Sequence, residues 1–396
     1  MKYIVLIIDG ASGRALPEYG GKTCLELAST PNLDAMAKES AAGMLRTIPE
    51  GMEPSSACGC MSLFGYDPRV YYRGRASIEA RSMGISVEEG DVVFRCNLVA
   101  VRDGKMFDYS GGHITTEESK QLVIALNENL ADDRVLFYPG IAYRHILKIT
   151  GREDTLSAVC TPPHDIPGRG ISEYLPHGPG SDFLNDLMKR SEAVLKEHPV
   201  NLERKSRGET EPNTIWLFWG SSRLPEMPSF KTAYGLDAAM TSGVDLLGGL
   251  AQMAGMEILD IAGVNDGLDN DYTAQIDGAL EALGRNDLAI VHIEAPDEAA
   301  HGGSVDEKVE AIRRIDEEVV SRIRAWRGDE LKVLVSPDHP TPIELRTHSN
   351  EPVPFMLWGE GFINNGAIRL TEPEAVKTGL YINPGYNIMR KLIGIV

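Results

Sequence analysis

The sequence predicts an α/β fold, in which apolar strands alternate with helices along most of the chain. Strand-like runs at residues 3–9, 288–293 and 332–336 are apolar almost throughout, and helical patterns separate such runs at both ends of the 396 residues. This alternation is typical of a sheet whose parallel strands are joined by crossover helices. Because ligands gather at the carboxyl ends of such strands, the polar residues that follow each run are the first candidates for a functional site.

The individual elements are justified by local signals. Pro31 marks a helix start, because its fixed φ suits the first turn. Isoleucine and valine at three-to-four spacing predict a long helix after residue 304, whose alternating charges between residues 306 and 324 we interpret as a solvated face. In chain order the sequence predicts a strand at 3–9, a helix at 32–42, a strand at 92–101, a helix at 115–130, a strand at 144–149, a helix at 182–197, a strand at 215–219, a helix within 236–254, a short strand at 257–261, a helix at 273–283, a strand at 288–293, a helix at 304–326, and strands at 332–336 and 354–358.

The middle of the chain has a different organisation. A Pro/Gly-rich stretch at 161–180 reads as an irregular loop, and the polar stretch at 205–213 resembles a linker. We predict a discontinuous domain formed by residues 1–86 and 209–396, with a smaller α+β domain inserted at residues 87–208.

The composition restricts the possible partners. With 39 Lys+Arg against 58 Asp+Glu, the net charge is −19, which argues against nucleic acid and against an anionic membrane. A small phosphorylated substrate stays possible, because a few local arginines can reverse the field inside a cleft.

Five dispersed cysteines form no disulfide framework and favour a cytoplasmic location. The apolar run at residues 3–8 is too short for a signal peptide or a membrane span and is interpreted as a buried strand. The oligomeric state is left open.

Carboxylates and imidazoles follow two of the predicted strands. Asp297 and His301 are four residues apart, so a helical turn places them on one face. Asp338 and His339 follow the next strand, and His348 comes shortly after. This donor set suits Zn, Mn, Fe or Co better than Mg or Ca, and five ligands are too many for one ordinary site. The pattern therefore predicts a pair of metal ions.

Three further residues are weighed from their positions alone. Asp9 ends a buried strand, where an unpaired carboxylate is costly, so a metal is its expected partner. His292 lies within a strand and is interpreted as a hydrogen-bonded core histidine. Ser56 stands where a turn enters a short helix, a position that favours helix capping but also one where a helix dipole stabilises an alkoxide or phosphate.

Taken together, the motifs resemble the archaeal-type, cofactor-independent phosphoglycerate mutases of the alkaline phosphatase superfamily and their bacterial relatives proposed to be homoserine kinases. The resemblance covers essentially the whole chain. The motifs that carry it are Asp9-Gly10, Gly21-Lys22-Thr23, Thr30-Pro31-Asn32-Leu33-Asp34, Gly65-Tyr66-Asp67-Pro68, Phe94-Arg95-Cys96-Asn97-Leu98, Gly112-His113-Ile114, Pro296-Asp297 with His301, Pro337-Asp338-His339, and His348 with Pro352-Val353-Pro354-Phe355.

The resemblance implies an alkaline-phosphatase-like, metal-binding core carrying a substrate-binding insertion. It also implies a phosphoserine intermediate on Ser56 and two divalent ions, with Mn²⁺ or Zn²⁺ favoured and Mg²⁺ or Co²⁺ as alternatives. Coordination by such an ion makes a serine alkoxide accessible. The implied ligands are Asp9, Ser56, Asp338 and His339 at one site and Asp297, His301 and His348 at the other.

The segment around the nucleophile departs from the family pattern. Family members usually have Gly-Ser-Asp followed two residues later by Ala-Asn, whereas this chain has Ser55-Ser56-Ala57-Cys58-Gly59-Cys60. Ala57 thus replaces the acidic residue, and Cys60 replaces the amide. The metal ligands are retained, so the departure bears on how substrate is oriented. Cys58 and Cys60 are interpreted as packing residues of the helix.

Arginines and polar residues of the predicted insertion are candidates for gripping phosphate and carboxylate, since arginine offers a planar, two-pronged donor. The resemblance assigns catalytic roles to Arg95 and His113. The predicted substrate-binding residues are Arg75, Arg95, Asn97, His113 and Arg144, and further candidates for lining the cleft are His164, Asp165 and Arg169.

The leading functional prediction is interconversion of 2- and 3-phosphoglycerate through phospho-Ser56, with substrate bridging the two domains. Three alternatives stay open: phosphotransfer to a small hydroxyl such as that of homoserine, phosphatase activity, and a metal-binding homologue that has lost catalysis.

Overall fold

The computed structural model describes residues 1–395 and separates into two compact units. The first unit consists of Met1–Tyr72 together with the chain from Glu226 onward, and the second is Arg73–Pro225. The second unit begins before residue 87 and ends after residue 208, the bounds predicted for the insertion. A helix at Arg75–Ser82 and a strand at Thr214–Ser222 lie outside the predicted bounds, yet both pack on the second unit's central strand.

The strands are β1 (Lys2–Ile8), β2 (Ala41–Leu45), β3 (Asp91–Arg102), β4 (Lys105–Asp108), β5 (Val135–Tyr138), β6 (Arg144–Thr150), β7 (Thr214–Ser222), β8 (Ala238–Thr241), β9 (Glu257–Ile258), β10 (Leu288–Ile293), β11 (Leu331–Ser336), β12 (Val353–Gly359) and β13 (Tyr381–Ile382).

The α-helices are α1 (Cys24–Leu27), α2 (Pro31–Ala37), α3 (Ser56–Leu63), α4 (Pro68–Tyr71), α5 (Arg75–Ser82), α6 (Thr116–Leu130), α7 (Ser181–Lys196), α8 (Pro199–Ser206), α9 (Phe230–Tyr234), α10 (Asp245–Met253), α11 (Tyr272–Ala282), α12 (Ala295–Gly302), α13 (Val305–Arg314), α14 (Ser321–Ala325), α15 (Glu372–Lys377) and α16 (Asn387–Ile393). A π-helical segment, Ile315–Val320, makes α13 and α14 continuous, and short 3₁₀ helices occur at Pro17–Tyr19, Glu153–Ser157, Pro163–Asp165 and Ile171–Glu173.

An eight-stranded sheet forms the centre of the first unit, in the order β13-β2-β12-β11-β1-β10-β8-β9. Strand β1 is parallel to both of its neighbours, β10 and β11, and β12 is antiparallel to β11 and β2. Residues Ile4 to Ile8 are at most 1% exposed, because the sheet is covered on both faces. This explains why the sequence of β1 is a continuous apolar run without alternation, and it confirms the predicted α/β fold.

Two sequence predictions are wrong in this unit. The helix predicted at 32–42 ends at Ala37, and Ala41–Leu45 forms β2, because this segment pairs with β12 on one side and β13 on the other. The charged stretch 306–324 is not simply a solvated face. Lys308 and Asp316 are at most 1% exposed, and Asp316 accepts hydrogen bonds from the backbone N–H groups of Asn32 and Leu33, where it satisfies the start of α2.

The second unit is an antiparallel sheet with helices packed against it, in agreement with the predicted α+β class. The strand order is β4-β3-β6-β5, and β7 also pairs with β3. Its core contains Phe94, Leu98, Leu126, Leu147 and Trp216, contributed by the sheet and by α6. Within residues 1–395, none of the helices combines the length and the apolar character that crossing a bilayer requires.

Candidate active site

The side chains predicted to bind metal meet at one edge of the large sheet. Ile7 of β1 lies opposite His292 of β10 and Ser336 of β11, so the three parallel strands end at the same level. The residues that follow, including Asp9 and Asp338, therefore leave the sheet at one edge. Helix α12 begins directly after β10 and carries Asp297 and His301 one turn apart.

Asp297, His301 and His348 form the first group. The His301 Nε2 atom is 3.0 Å from His348 Nε2 and 3.1 Å from Asp297 Oδ2, and His348 Nε2 is 3.5 Å from the same oxygen. Each imidazole donates its Nδ1 proton to a backbone carbonyl, that of Arg346 or that of Pro54. In the neutral imidazoles, two nitrogen lone pairs and a carboxylate oxygen thus converge on one point, an arrangement that fits a cation.

Asp9, Ser56, Asp338 and His339 form the second group. The His339 Nε2 atom is 3.2 Å from Ser56 Oγ, 3.3 Å from Asp338 Oδ2 and 3.4 Å from Asp9 Oδ1. Burial raises the pKa of Asp9 well above its ordinary value, and the charges of Asp338 and Asp297 raise it further. Asp9 Oδ1 is buried and receives no hydrogen bond within the described chain. A buried carboxylate of this kind needs a positive partner, so this group also fits a divalent metal.

Ser56 is the first residue of α3, but it does not cap the helix. The cap is Ser55, whose Oγ accepts a hydrogen bond from the backbone N–H of Cys58. The hydroxyl of Ser56 instead lies beside His339 and is 8% exposed as a residue. Ser55 therefore caps the helix, and the adjacent Ser56 is free for the candidate chemistry. This division between the two serines could not be predicted from their positions in the sequence.

His292 and Glu294 enlarge the cluster beyond the predicted ligands. His292 is buried and hydrogen-bonded, as expected of a core histidine, but its Nε2 partner is Asp9 Oδ2 at 2.8 Å, and its Nδ1 contacts Ser242 Oγ. Burial and the nearby Asp9 raise the pKa of Glu294 well above its ordinary value. The sequence signal for Glu294 was its position directly at the end of β10. With Asp9, Asp297 and Asp338 it gives four clustered carboxylates, whose formal charge two divalent cations would balance.

The residues that replace the family's pattern next to Ser56 are fully buried. Ala57, Cys58 and Cys60 are 0% exposed, in agreement with a packing role for both cysteines. Cys60 also contacts a candidate ligand, because its Sγ lies 3.7 Å from Asp338 Oδ2. Burial raises the pKa of the Cys60 thiol well above its ordinary value, so the thiol is protonated in the metal-free protein.

In the second unit, two of the predicted arginines, Arg75 and Arg95, meet at an acidic side chain that was not predicted. Glu79 accepts hydrogen bonds from Arg95 Nη1 at 2.6 Å and from Arg75 Nε at 2.7 Å. The Arg75 guanidinium stacks 4.6 Å above the Trp219 ring. Asn97 lies on the same face of β3 as Arg95 and opposite Arg144 of β6. Arg95 Nε and Asn97 Oδ1 are buried without a hydrogen-bond partner in residues 1–395, as expected of a site that receives a polar ligand.

The other candidates of the second unit are placed differently. His113 follows β4 in a turn with φ of 53°, a conformation that is uncommon outside glycine, and its backbone N–H donates to Ser110 Oγ. The His164 ring is 5.5 Å from that of Trp219, beside the stacked Arg75. Asp165 and Arg169 are exposed.

Comparison with known proteins agrees with this architecture. A family model described as 2,3-bisphosphoglycerate-independent phosphoglycerate mutase matches residues 37–201. Proteins of that name from Methanothrix thermoacetophila and Methanosarcina barkeri are 45% and 44% identical to this chain; the alignments cover 99% and 96% of it, and 100% and 96% of the relatives.

Two solved structures share the fold at 24% identity. The PH0037 protein from Pyrococcus horikoshii has a TM-score of 0.83 over 100% of this chain and 98% of its own. The cofactor-independent phosphoglycerate mutase from Thermoplasma acidophilum has a TM-score of 0.65 over all of both chains.

The fold and the clustered carboxylates and imidazoles define an α/β enzyme with candidate sites for divalent metal ions. The chain belongs to the family of 2,3-bisphosphoglycerate-independent phosphoglycerate mutases, which are isomerases. The family resemblance inferred from the sequence motifs is thereby confirmed.

Proposed function

We propose that this protein interconverts 2-phosphoglycerate and 3-phosphoglycerate through a phosphoserine formed on Ser56. The observation that carries the proposal, in a chain of this family, is a buried serine hydroxyl 3.2 Å from His339 Nε2, in a group that also contains Asp9 and Asp338. Among the described residues, no helix-capping bond engages this hydroxyl, because Ser55 supplies the cap.

The residues proposed to hold the metals are the two groups described above. Asp9, Ser56, Asp338 and His339 would bind one ion, and Asp297, His301 and His348 the other. Oxygen and imidazole nitrogen donors suit Mn²⁺ or Zn²⁺, with Co²⁺ and Mg²⁺ as alternatives. When bound, such ions supply positive charge that makes a serine alkoxide accessible and neutralises phosphoryl oxygens during transfer.

In the proposed reaction, the phosphoryl group moves first to Ser56 and then back to the glycerate. A bond forms between Ser56 Oγ and phosphorus as the bond from phosphorus to the glycerate oxygen breaks. The second hydroxyl of the same glycerate then attacks phosphorus and releases Ser56. We propose that Arg75, Arg95, Asn97 and Arg144 bind the phosphate and carboxylate of the substrate, and that Arg95 and His113 act in catalysis.

The test measures turnover of the metal-loaded protein. Chain stripped with a chelator and reloaded with Mn²⁺ is assayed with 3-phosphoglycerate by coupling to enolase. Wild type should turn over, Ser56→Ala should be inactive, and chelation should abolish activity reversibly. Ser55→Ala is the matched control: it removes a neighbouring hydroxyl and costs about 1 kcal/mol of stability through the lost cap, but should keep turnover.

A phosphopeptide containing Ser56, trapped after incubation with substrate, would support the intermediate directly. Fully metal-loaded wild type without mutase activity would refute the proposal.

Phosphotransfer to another small hydroxyl, such as that of homoserine, is the second candidate. It is favoured by the buried Ala57 and Cys60, which stand beside Ser56 in place of the family's acidic residue and amide. This candidate would be supported if the protein lacked mutase activity and phosphorylated homoserine.

The unpaired state of all five cysteines supports a reducing, cytoplasmic location.

A further inference from the structure

We infer that Thr341, held in place by the buried Lys308, is a positioning residue that links the two candidate metal groups and fixes the tautomer of His339. The inference rests on the metal groups of the proposed function. All residues involved belong to the first unit.

The Thr341 hydroxyl lies between one residue of each group. Its Oγ1 is 2.5 Å from Asp297 Oδ1 and 3.2 Å from His339 Nδ1, and the residue is 0% exposed. A hydroxyl has a single proton to donate. The shorter distance is that of a hydroxyl donating to a carboxylate, so the proton lies toward Asp297. The hydroxyl oxygen is then left to accept a hydrogen bond from His339 Nδ1–H.

This direction of hydrogen bonding orients donor atoms in both groups. With its proton on Nδ1, His339 presents the Nε2 lone pair toward Ser56 Oγ, Asp338 Oδ2 and Asp9 Oδ1. Since Asp297 Oδ1 is engaged by Thr341, the other oxygen of Asp297 faces the imidazoles of the first group. One hydroxyl thus sets the ligand geometry of both groups, as partners behind metal ligands commonly do.

Lys308 fixes the segment that carries this hydroxyl. Its Nζ donates to the backbone carbonyl of Thr341 at 2.8 Å and to that of Ser12 at 3.1 Å. The Thr341 backbone N–H also donates to the Ser12 carbonyl. A fully buried lysine is rare unless it is paired, and this one links the segment after Asp9 to the segment after His339. The ammonium therefore connects the continuations of β1 and β11 just beyond the cluster.

The test compares three threonine substitutions and Lys308→Met in the full-length, chelator-stripped protein titrated with Co²⁺. Thr341→Val removes the hydroxyl with little change of shape, and Thr341→Ser keeps it. Thr47→Val is the matched control, because Thr47 is also 0% exposed but its hydroxyl has no hydrogen-bond partner among the described residues. Co²⁺ affinity is measured by calorimetry, ligand geometry by visible absorption of the bound Co²⁺, and the His339 tautomer by ¹⁵N NMR of histidine-labelled protein.

Wild type should bind two equivalents of Co²⁺. Thr341→Val should weaken binding about 10- to 100-fold, the usual effect of losing a partner behind a metal ligand, and should change the Co²⁺ absorption and the His339 ¹⁵N shifts. Thr341→Ser should restore all three, and Thr47→Val should match wild type. Lys308→Met should change the same readouts in the same direction.

The two ways of failing are distinguishable. Wild-type affinity, spectrum and tautomer in Thr341→Val would overturn this inference and leave the metal sites standing. Failure of wild type to bind Co²⁺ would overturn the proposed function, and with it the inferred link between the two groups.

Discussion

Removal of the Glu79 carboxylate should destabilise the second unit more than the loss of an exposed ion pair. Both carboxylate oxygens of Glu79 lie 2.6 Å from Arg95 Nη1, and one also accepts from Arg75. The side chains of Glu79 and Arg95 are only 11% and 8% exposed. Glu79→Ala therefore leaves a guanidinium buried without its carboxylate partner.

The magnitude follows from this burial. Removing one partner of a buried ion pair costs about 3–5 kcal/mol. The i,i+4 pair of Glu203 with Arg207 is 69% and 40% exposed, and pairs of this kind contribute about 0–1 kcal/mol. We expect Glu79→Ala to lower the free energy of unfolding by the larger amount and Glu203→Ala by the smaller. Glu79→Gln, which keeps an acceptor oxygen, should fall between them.

The dependence on pH gives the same prediction a second readout. Burial alone would raise the pKa of Glu79, but the charges of Arg95 and Arg75 outweigh it and leave the pKa below its ordinary value. A glutamate in the unfolded chain has a pKa of about 4.3. The stabilisation by Glu79 is therefore complete above about pH 4.3 and is lost as the pH falls through the lower, folded-state pKa. The difference between wild type and Glu79→Gln should shrink below that pH.

The assay is urea unfolding followed by tryptophan fluorescence. Trp216 and Trp219 lie in the second unit, whereas Trp326 and Trp358 lie in the first, so a background with the latter two replaced by phenylalanine reports on the second unit. A Glu79→Ala shift no larger than that of Glu203→Ala would refute the reasoning, because it would show that the buried pair adds nothing beyond an exposed one.

Three further predictions concern the first unit and the thiols. Gly10→Ala should weaken metal binding by the group of Asp297, His301 and His348 about tenfold in calorimetry, because its Cβ would lie 2.3 Å from Asp297 Oδ1. Gly235 also has a positive φ, but its Cβ would have no described heavy atom within 4 Å, so Gly235→Ala should leave binding unchanged; equal effects of the two substitutions would contradict the predicted clash. In metal-free protein, burial lowers the pKa of His301 but Asp297 raises it more, to about 9. The stabilisation by protonated His301 is therefore complete below about pH 6.5 and is lost as the pH rises through about 9, so the melting temperature should fall across this window. His301→Gln should reduce this dependence of the melting temperature on pH. The same dependence in wild type and variant would contradict the prediction. Cys160 is half-buried, whereas the other four cysteines are buried, so it should react with a thiol reagent first. The reaction should be slow, because burial raises the pKa of the Cys160 thiol to about 11. Peptide mapping that finds another cysteine labelled first would be inconsistent with the structure.

The strands that build the site were predictable because their signal is local. β1, β10 and β11 are short apolar runs that end in polar residues, and parallel pairing brings those ends together. β2 was missed because Ala41–Leu45 has little β-branched character and continues a helical pattern; pairing on both sides overrides that preference. β8 was likewise not distinguished from the neighbouring helical pattern.

The contacts that support the site were not predictable, because they join residues far apart in the chain. Lys308 looked like one charge in a solvated helix face, and only the packing of α13 shows that it is buried against two backbone carbonyls. Glu79 carried no motif, and its role is visible only once α5 lies beside β3. The ligands themselves belong to recognisable motifs, whereas the residues that orient them do not.

The central place of β1 in the sheet has a consequence for how the protein is made. Strand β1 is synthesised well before its two sheet partners, β10 (Leu288–Ile293) and β11 (Leu331–Ser336). Until then its apolar side chains have no native cover, and such delayed, non-local pairing is slow and prone to aggregation. The contiguous segment Arg73–Pro225 has all its strand partners within itself and is free to fold in the meantime. We therefore expect chaperones to bind the nascent chain at β1 until β10 and β11 have been synthesised.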